Sequence, residues 1–332
     1  MIRCAVVGAT GLVGNMFLKV LEEKNLDIDE YVLFASSKSK GRKVKFKNKE
    51  YEIQELTDDS FKNTRFDYAL FSAGGNTSQK HSPIATKNGC IVIDNSSAFR
   101  MKEDVPLVVP EVNMEDAYIN NGIIANPNCS TIQAVIPLNI LNKHYKIKRV
   151  IYTTFQAVSG AGIKGIEDLK KTQKGSIPSK FPYPIYNNCI PQIDVFLEND
   201  YTKEEMKMIE ETRKILHLSN LNVTATCVRV PVENSHSESI NVEFEEEFDV
   251  EELKQNLSNG EGIILLDDTK KQLYPISTFV SGKDDVFVGR IRRDYSIKNG
   301  INFWCVADNI RKGAATNAVQ ILDSLIKKRL GN

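Results

Sequence analysis

A glycine-rich turn near the N-terminus restricts the fold of this chain more than any other feature. A short apolar stretch at residues 2–7 runs directly into Gly-Ala-Thr-Gly-Leu-Val-Gly at residues 8–14, and a helical pattern and a second apolar stretch, residues 31–35, follow. In a strand–turn–helix unit, glycines let the backbone approach a pyrophosphate, and the helix N-terminus supplies N–H donors. The order therefore predicts a Rossmann-type dinucleotide-binding domain, with a merely tight turn as the alternative.

The residues after the second strand indicate which dinucleotide binds. A site for NAD usually has an Asp or Glu there, which binds the ribose 2′-hydroxyl. Residues 34–42 read Phe-Ala-Ser-Ser-Lys-Ser-Lys-Gly-Arg and contain no acid. Because hydroxyls and cations suit a 2′-phosphate, NADP is the predicted cofactor. The alternative is a solvated basic loop, to which we assign the lysines of residues 43–49.

Two further apolar stretches, residues 68–72 and 90–93, each end in small polar residues. Ligands of an open α/β sheet bind along the carboxyl edge of its strands, where such residues would lie. Arg100 follows the second stretch; a lone arginine is most often a surface charge, but its neighbours place it on this edge. The cofactor-binding residues predicted in this domain are Gly8, Thr10, Gly11, Leu12, Val13, Gly14, Ser36, Ser37, Lys38, Ser39, Ser72, Ala73 and Gly74.

Residues 126–131, Asn-Pro-Asn-Cys-Ser-Thr, place a cysteine where a helix is expected to begin. Asn128 is a favourable N-cap, which puts Cys129 at the first helical position. The unpaired N–H groups and the positive end of the helix dipole there favour a thiolate, the form of cysteine that attacks carbonyl carbon. Cys129 is therefore a candidate nucleophile, and a small buried cysteine is the alternative. Pro137 lies inside this helix, and the pattern does not explain it.

The chain changes character after the Cys129 helix. Alternating polar and apolar residues predict strands at residues 150–158, 223–230, 239–248, 286–291 and 303–307. Such alternation suits an antiparallel or mixed sheet with one covered face. Capping boxes open two predicted helices, residues 202–218 and 249–257, and a proline-rich loop precedes the first of them.

The last predicted helix, residues 311–330, has an apolar face that we expect to pack on the first domain. We therefore predict an α/β protein of two domains. Residues 1–127 and 312–332 form a Rossmann-type NADP-binding domain. Residues 128–311 form an α+β catalytic and dimerisation domain with a mixed, largely antiparallel sheet.

Four polar side chains of the second domain are candidates for chemistry beside Cys129. Gln156 ends a strand before a glycine-rich turn, and His236 follows a strand end in the segment 229–237. A histidine near a thiol serves as its base and later as an acid, but His236 lies far along the chain, so a structural or surface role is the alternative. Glu211 and Lys214 lie three apart on one helix, where periodicity puts Lys214 on the solvated side and Glu211 at its margin.

Composition excludes several classes of protein. Equal numbers of basic and acidic residues, 43 of each, argue against a nucleic-acid or anionic-membrane partner. The six cysteines are scattered without metal-ligand spacing, so we predict reduced thiols, no metal and a cytoplasmic location. No apolar run approaches the roughly 18 residues of a membrane helix.

Taken together, the motifs resemble those of the aspartate-semialdehyde dehydrogenases, and the resemblance runs from Gly8 to the last helix. In the family's order the chain carries Gly-Ala-Thr-Gly-Leu-Val-Gly, Asp-Asn-Ser-Ser-Ala-Phe-Arg, Asn-Pro-Asn-Cys-Ser-Thr, Phe-Gln-Ala-Val-Ser-Gly-Ala-Gly, Ile-Pro-Gln-Ile-Asp, Arg-Val-Pro-Val, Ser-His-Ser-Glu and Asp-Asn-Ile-Arg-Lys-Gly-Ala-Ala. The glycine motif is shared widely, whereas the cysteine and histidine motifs in this order are specific.

The resemblance implies the NADPH-dependent, reversible conversion of 4-phospho-L-aspartate to L-aspartate 4-semialdehyde and phosphate, a branch-point step toward lysine or diaminopimelate, threonine and methionine. It implies a homodimer or homotetramer built from the second domain. The implied catalytic residues are Cys129 as nucleophile, His236 as acid/base and Gln156, which orients the substrate. The implied substrate-binding residues are Asn128, Arg229 for the α-carboxylate, Glu211 for the α-ammonium, and Arg100 and Lys214 for phosphate. Ser159, Gly160 and Asn309 are implied near the nicotinamide.

Three other readings remain at this point. The N-acetyl-glutamyl-phosphate reductases share the architecture, but their Gly-Cys-Tyr-Pro-Thr motif is absent. The glyceraldehyde-3-phosphate dehydrogenases would show Ser-Cys-Thr-Thr-Asn, which is also absent. A non-catalytic NADP-sensing or scaffold protein on the same fold has no need of the nucleophile and its polar neighbours.

Overall fold

The computed structural model describes residues 1–331, and their contacts divide the chain into two compact units. The first comprises Met1–Pro127 and the segment that begins at Ala314, and the second comprises Asn128–Gly313. The sequence placed the return to the first unit at residue 312. Across the described residues, no helix is both long and apolar enough to cross a membrane.

The first unit is built on a parallel sheet of six strands in the order β5-β2-β1-β6-β7-β8. Its strands are β1 (Arg3–Val7), β2 (Glu30–Ala35), β5 (Gln54–Glu55), β6 (Tyr68–Phe71), β7 (Ile91–Asp94) and β8 (Ile123–Ala125), with a separate hairpin of β3 (Lys43–Phe46) and β4 (Lys49–Glu52). Its helices are α1 (Leu12–Lys24), α2 (Gly75–Lys87), α3 (Pro110–Ala117) and the C-terminal α9 (Asn317–Leu330). Because β2 and β6 flank β1 on opposite sides, the carboxyl end of β1 is the point where dinucleotides bind in such sheets.

The second unit contains a mixed sheet of six strands in the order β10-β9-β11-β14-β13-β12. These are β9 (Ile147–Gln156), β10 (Asn222–Arg229), β11 (His236–Phe244), β12 (Ile263–Leu265), β13 (Val286–Asp294) and β14 (Gly300–Ala307). The helices are α4 (Cys129–Tyr145), α5 (Ile163–Gln173), α6 (Lys203–Ile215), α7 (Val250–Ser258) and α8 (Ser277–Val280). Three of the five strand pairings are antiparallel, so the predicted fold class is confirmed.

The structure adds two details of local geometry that the sequence pattern does not show. Leu107 makes a single bridge to Ala125, and α3 begins at Pro110. Proline at the first helical position costs no hydrogen bond, which explains the helix start. The last helix begins at Arg311 and ends at Leu330, as predicted, and its first residues, Arg311–Thr316, form a π-helical segment that continues into α9.

Candidate active site

Cys129 is the first residue of α4, as the sequence predicted. The side-chain oxygen of Asn128 accepts hydrogen bonds from the backbone N–H groups of Ser130 at 3.0 Å and Thr131 at 3.3 Å. The helix runs through Pro137 to Tyr145. The Cys129 thiol is half-buried at the positive end of this helix, an environment that favours the thiolate.

The other five cysteines lack this environment. Cys189 is exposed on a loop, and the remaining four are buried. Burial raises the pKa of the Cys4 thiol to about 12. Burial likewise raises the pKa of the Cys90, Cys227 and Cys305 thiols. Cys129 is therefore the cysteine that combines access with a helix N-terminus.

Arg229 and His236 converge beside Gly160. Arg229 ends β10, His236 begins β11, and Gly160 lies in the 3₁₀ turn Val158–Ala161. A methyl group added to Gly160 would lie 2.8 Å from Arg229 Nη1 and 3.2 Å from His236 Nε2. The charge of Cys129 also acts on the pKa of Arg229, which puts the thiol in the same neighbourhood.

We expect Gly160→Ala to lower kcat/KM by about 10-fold or more, because the new methyl displaces the Arg229 guanidinium or the imidazole. Arg229 cannot move away freely, since its Nη1 donates to the Ala157 carbonyl at 2.7 Å. Steady-state kinetics of the activity that the sequence resemblance implies measure the loss. Gly75→Ala is the control, because its methyl would meet only Ala98, at 3.9 Å. Equal activity of the two variants would contradict the prediction.

Arg229 is a buried cation with hydrogen-bonding capacity to spare. Its side chain is buried, and its guanidinium lies 5.9 Å from the centre of the Phe181 ring. Within residues 1–331, its Nε has no hydrogen-bond partner. Burial lowers the pKa of Arg229, and the negative charge of Glu204 partly opposes that effect. A buried guanidinium with an unused donor is suited to a carboxylate, which its planar fork binds at two points.

His236 is held in one tautomer. The backbone N–H of Ala157 donates to His236 Nδ1 at 3.0 Å, so the neutral ring carries its proton on Nε2. That Nε2 has no partner among the described residues. Burial, followed by the positive charge of Arg229, lowers the pKa of His236 to about 3. Ser235, just before it, has a strained φ of 73° and donates its N–H to Asn309 Oδ1 at 2.9 Å.

We expect His236 to stay neutral from pH 5 to pH 9, with its proton on Nε2. Since its folded pKa of about 3 lies below an unfolded value of about 6.5, its contribution to stability is present above pH 6.5 and is lost as the pH falls toward 3. Long-range ¹H–¹⁵N spectra of histidine-labelled protein, assigned with His236→Gln, report the tautomer of each of the four histidines. A His236 signal that titrates near pH 6.5 would contradict the prediction.

Gln156 and Asn128 meet at a carboxylate that the sequence analysis missed. Gln156 Nε2 donates to Glu204 Oε1 at 3.0 Å, and Asn128 Nδ2 donates to the same oxygen at 2.9 Å. The other end of the Gln156 amide accepts from Thr154 Oγ1 at 3.0 Å. Lys207 Nζ donates to Glu204 Oε2 at 3.0 Å. One signal was available, because Glu204 lies four residues before Met208 on the apolar stripe of α6.

Glu211 is buried, so the periodicity argument was wrong for it. Its side chain is 1% exposed, and its Oε2 accepts the backbone N–H of Asn128 at 2.6 Å. The edge of α6 that was expected to meet solvent faces the start of α4 instead. Lys214, three residues on, is half-buried. The α4 N-terminus therefore lies against the acidic edge of α6.

The residues predicted near the nicotinamide also lie together in the second unit. Asn309 Nδ2 donates to Ser159 Oγ at 3.0 Å, and Gly160 is the next residue along the turn. Since Asn309 also accepts the Ser235 N–H, this pair is bonded to the backbone that presents His236.

The first unit has a cavity of about 560 Å³ at the carboxyl end of β1. Of the predicted residues, Gly8, Thr10, Gly11, Ser36, Ser37, Ser72 and Ala73 line it. Gly8 has φ 84°, and a methyl there would lie 2.3 Å from the Ser72 carbonyl oxygen. Because the N-cap Gly11 leaves the start of α1 without a side-chain cap, backbone N–H groups are available to a pyrophosphate. These residues fit a dinucleotide.

The other predicted residues of this site lie around the cavity. Leu12, Val13 and Gly14 form the first turn of α1, and Gly74 is the N-cap of α2. Ser39 Oγ lies 3.4 Å from Thr10 Oγ1, while Lys38 is exposed on the same 3₁₀ turn. Sequence reasoning missed Glu55, which β5 brings beside the end of β2 and which pairs with Lys40 at 3.4 Å.

Arg100 is a buried residue of the first unit. Its side chain is 8% exposed. Its Nε donates to the Asn126 carbonyl at 2.9 Å, and its Nη2 donates to the Asn95 carbonyl at 3.0 Å. The alternative of a surface charge is therefore wrong.

Family models match most of the chain. Residues 3–119 match the model described as "Semialdehyde dehydrogenase, NAD binding domain". Residues 138–312 match "Semialdehyde dehydrogenase, dimerisation domain". The first match lies in the unit with the glycine-rich cavity, and the second lies in the unit with the cysteine.

Named relatives and solved structures resemble the chain over 98–99% of its length. The aspartate-semialdehyde dehydrogenase of Aquifex aeolicus is 54% identical, and that of Bacillus subtilis is 49% identical, each over 99% of both chains. A crystal structure of aspartate semialdehyde dehydrogenase II from Vibrio cholerae, complexed with ASA, is 45% identical over 98% of both chains, with a TM-score of 0.94. The Candida albicans enzyme, solved with NADP, is 26% identical over 99% of both chains, with a TM-score of 0.78.

Proposed function

The chain belongs to the aspartate-semialdehyde dehydrogenase family, and we propose that Cys129 is the nucleophile of its reaction. The observation that carries this proposal is the half-buried thiol at the capped start of α4, in the same unit in which Arg229 and His236 converge beside Gly160. The enzyme interconverts 4-phospho-L-aspartate and L-aspartate 4-semialdehyde with NADP(H), on the route to lysine or diaminopimelate, threonine and methionine.

We propose that the first unit is the NADP-binding domain, with residues 312–332 completing it, and that residues 128–311 form the catalytic and dimerisation domain. Two features of the cavity support this assignment: the close backbone contact at Gly8 and the serines that line it. The NADP in the Candida albicans structure supports it as well. When bound, NADP accepts a hydride from the substrate carbon, and NADPH returns it in the biosynthetic direction. Ser159, Gly160 and Asn309 are proposed to border the nicotinamide.

The steps assigned to this chain's own residues begin and end with the Cys129 thiolate, and the one proton released comes from the attacking hydrogen phosphate. In the oxidative direction, the Cys129 thiolate attacks the aldehyde carbon, and the carbonyl electron pair moves to the oxygen. The adduct loses a hydride and becomes a thioester. A phosphate oxygen then attacks the thioester carbon, the carbon–sulfur bond breaks, and Cys129 leaves as a thiolate.

The oxygen of the tetrahedral adduct needs hydrogen-bond donors. His236 Nε2 carries the ring proton and is free to donate to that oxygen, and the Gln156 amide orients the carbonyl group. The acid/base role that the sequence predicts for His236 stays a prediction, and its titration tests it. The N–H groups at the start of α4 stabilise the thiolate that attacks and later leaves.

Recognition of the amino acid is assigned to buried charges. The Arg229 guanidinium binds the α-carboxylate, and Glu211, with Asn128 beside it, binds the α-ammonium. Arg100 and Lys214 are proposed to bind the phosphate. The ASA complex of the Vibrio cholerae enzyme supports a site for the amino-acid semialdehyde.

We propose that the second unit forms a homodimer, with a homotetramer as the alternative. One face of its sheet has a hollow of about 780 Å³, bordered by Phe155, Trp304 and the exposed Tyr274 and Ile276. An exposed apolar surface of this kind suits a subunit contact. All six cysteines are free thiols, which supports a cytoplasmic location.

The test is phosphate-dependent reduction of NADP with L-aspartate 4-semialdehyde, repeated with N-acetyl-glutamate semialdehyde. Activity on the first substrate alone is expected. Activity on the acetylated substrate alone would assign the chain to the reductases of N-acetyl-glutamyl phosphate. NADP binding without activity on either substrate would favour a sensor.

A further inference from the structure

We propose that Glu204 is a positioning residue, whose carboxylate holds the N-cap of the Cys129 helix and the amide of Gln156 in one fixed arrangement. The inference rests on the proposed function, since it concerns the same nucleophile and the same amide. Glu204 lies in the first turn of α6 and is buried, with 5% of its surface exposed. It belongs to none of the family motifs named in the sequence analysis, and it is not part of the capping box that opens α6.

The bonds around Glu204 define the direction of the Gln156 amide. One end of that amide accepts from the Thr154 hydroxyl, and the other donates to Glu204 Oε1. A flipped amide would turn its oxygen toward a carboxylate, which repels it. The amide NH₂ has two hydrogens, and Glu204 takes one. The second is left to donate to the acyl oxygen of a bound substrate.

The same carboxylate oxygen holds the N-cap. Asn128 uses its side-chain oxygen to cap α4 and its Nδ2 to bond Glu204 Oε1. One atom of Glu204 is therefore bonded to the residue before the nucleophile and to the amide that orients the carbonyl. A shift of Glu204 moves both groups, and misplacement by about 1 Å in such a site costs about 100-fold in rate.

Lys207 keeps Glu204 ionised in this buried position. Burial alone would raise the pKa of Glu204, but the Lys207 ammonium and the bonds from Gln156 and Asn128 outweigh it and lower the pKa to about 2. Lys207 also donates to Asp194 at 3.0 Å, so the ammonium is itself fixed between two carboxylates. The carboxylate is therefore charged, and its acceptor oxygens are available, throughout the working pH range.

Two variants separate positioning from a purely electrostatic effect. Glu204→Gln keeps the shape but loses the charge, and Glu204→Asp keeps the charge but withdraws it by one carbon–carbon bond. Positioning predicts that both lower kcat by about 10- to 100-fold, with KM for L-aspartate 4-semialdehyde changed by less than about 3-fold. Full activity of Glu204→Asp would overturn the proposal in favour of a charge effect.

A double-mutant cycle with Gln156→Ala tests whether Glu204 acts through the amide. In the Gln156→Ala background, Glu204→Gln should lower kcat by a markedly smaller factor than it does in the wild type, because the effects of coupled residues are not additive. Equal factors in the two backgrounds would overturn the proposal. Glu210→Gln, on the same helix, is the matched control, and its kcat should equal that of the wild type.

A further variant covers the case in which Glu204→Gln fails to fold. Thr154→Val replaces the hydroxyl that donates to Gln156 Oε1 with a methyl of equal size. The variant therefore removes the hydrogen bond that holds the oxygen end of the Gln156 amide. It should lower kcat with the same unchanged KM; wild-type kcat would overturn the proposal. An active Cys129→Ala would instead defeat the proposed function, and in that case kcat of the Glu204 and Thr154 variants would still be measurable, so the two failures are distinguishable.

Discussion

Cys129→Ser is expected to lower kcat for the phosphate-dependent oxidation of L-aspartate 4-semialdehyde by at least about 10⁴-fold, because the loss of a catalytic nucleophile costs up to about 10⁶-fold. Serine nearly matches cysteine in size, but its hydroxyl ionises far less readily. The start of α4 and the nearby Arg229 stabilise a thiolate, and neither is strong enough to ionise an alcohol. Steady-state kinetics measure the loss, and fluorescence titration with NADPH shows that the cofactor site is intact.

Cys189→Ser is the control for this experiment, because Cys189 is the exposed cysteine. It should retain wild-type kcat. Iodoacetamide supplies a second readout: it should label Cys129 faster than Cys189 at pH 7, although Cys189 is the more exposed of the two. Retained activity of Cys129→Ser, or faster labelling of Cys189, would mean that another residue attacks the aldehyde.

The start of the Cys129 helix could be predicted from the sequence because its determinants are local. Asn128 caps the two N–H groups that lie two and three residues ahead of it, and the bond requires no other part of the chain. The constraint on Gly14 is local in the same way, since a methyl there would meet the Gly8 carbonyl, whereas a methyl on Gly8 would meet Ser72, which follows another strand. Motifs of this kind carry their structural explanation within about seven residues.

The surroundings of the nucleophile could not be predicted in this way. Whether a residue at the margin of an amphipathic helix is buried depends on which element packs beside it, and the spacing of α6 contains no information about the start of α4. Periodicity therefore placed Glu211 at the margin of the solvated side, and Glu204 was missed, although both bond Asn128. The approach of Arg229 and His236 to Gly160 depends on strand pairing between β9, β10 and β11, which no single segment specifies.

Arg229→Lys is expected to lower kcat/KM for L-aspartate 4-semialdehyde by about 1,000-fold. The guanidinium is buried, bonds the Ala157 carbonyl through Nη1 and keeps an unused Nε donor, so it is pre-oriented to bind a carboxylate at two points. A lysine ammonium is a point charge without this fork, and it would be costly to bury in the same place. Loss of one partner of a buried charge pair costs about 2–5 kcal/mol, which brackets the expected factor.

A substrate without the carboxylate separates recognition from general damage to the site. For 3-aminopropanal, which keeps the amine and the aldehyde, Arg229 has no group to bind, so the wild type and Arg229→Lys should differ by less than about 3-fold in kcat/KM. Arg213→Lys is the matched control, because Arg213 also donates to a backbone carbonyl, that of Leu221, and lies outside the site. If Arg229→Lys loses the same factor on both aldehydes, Arg229 supports the geometry of Cys129 and His236, and the carboxylate is bound elsewhere.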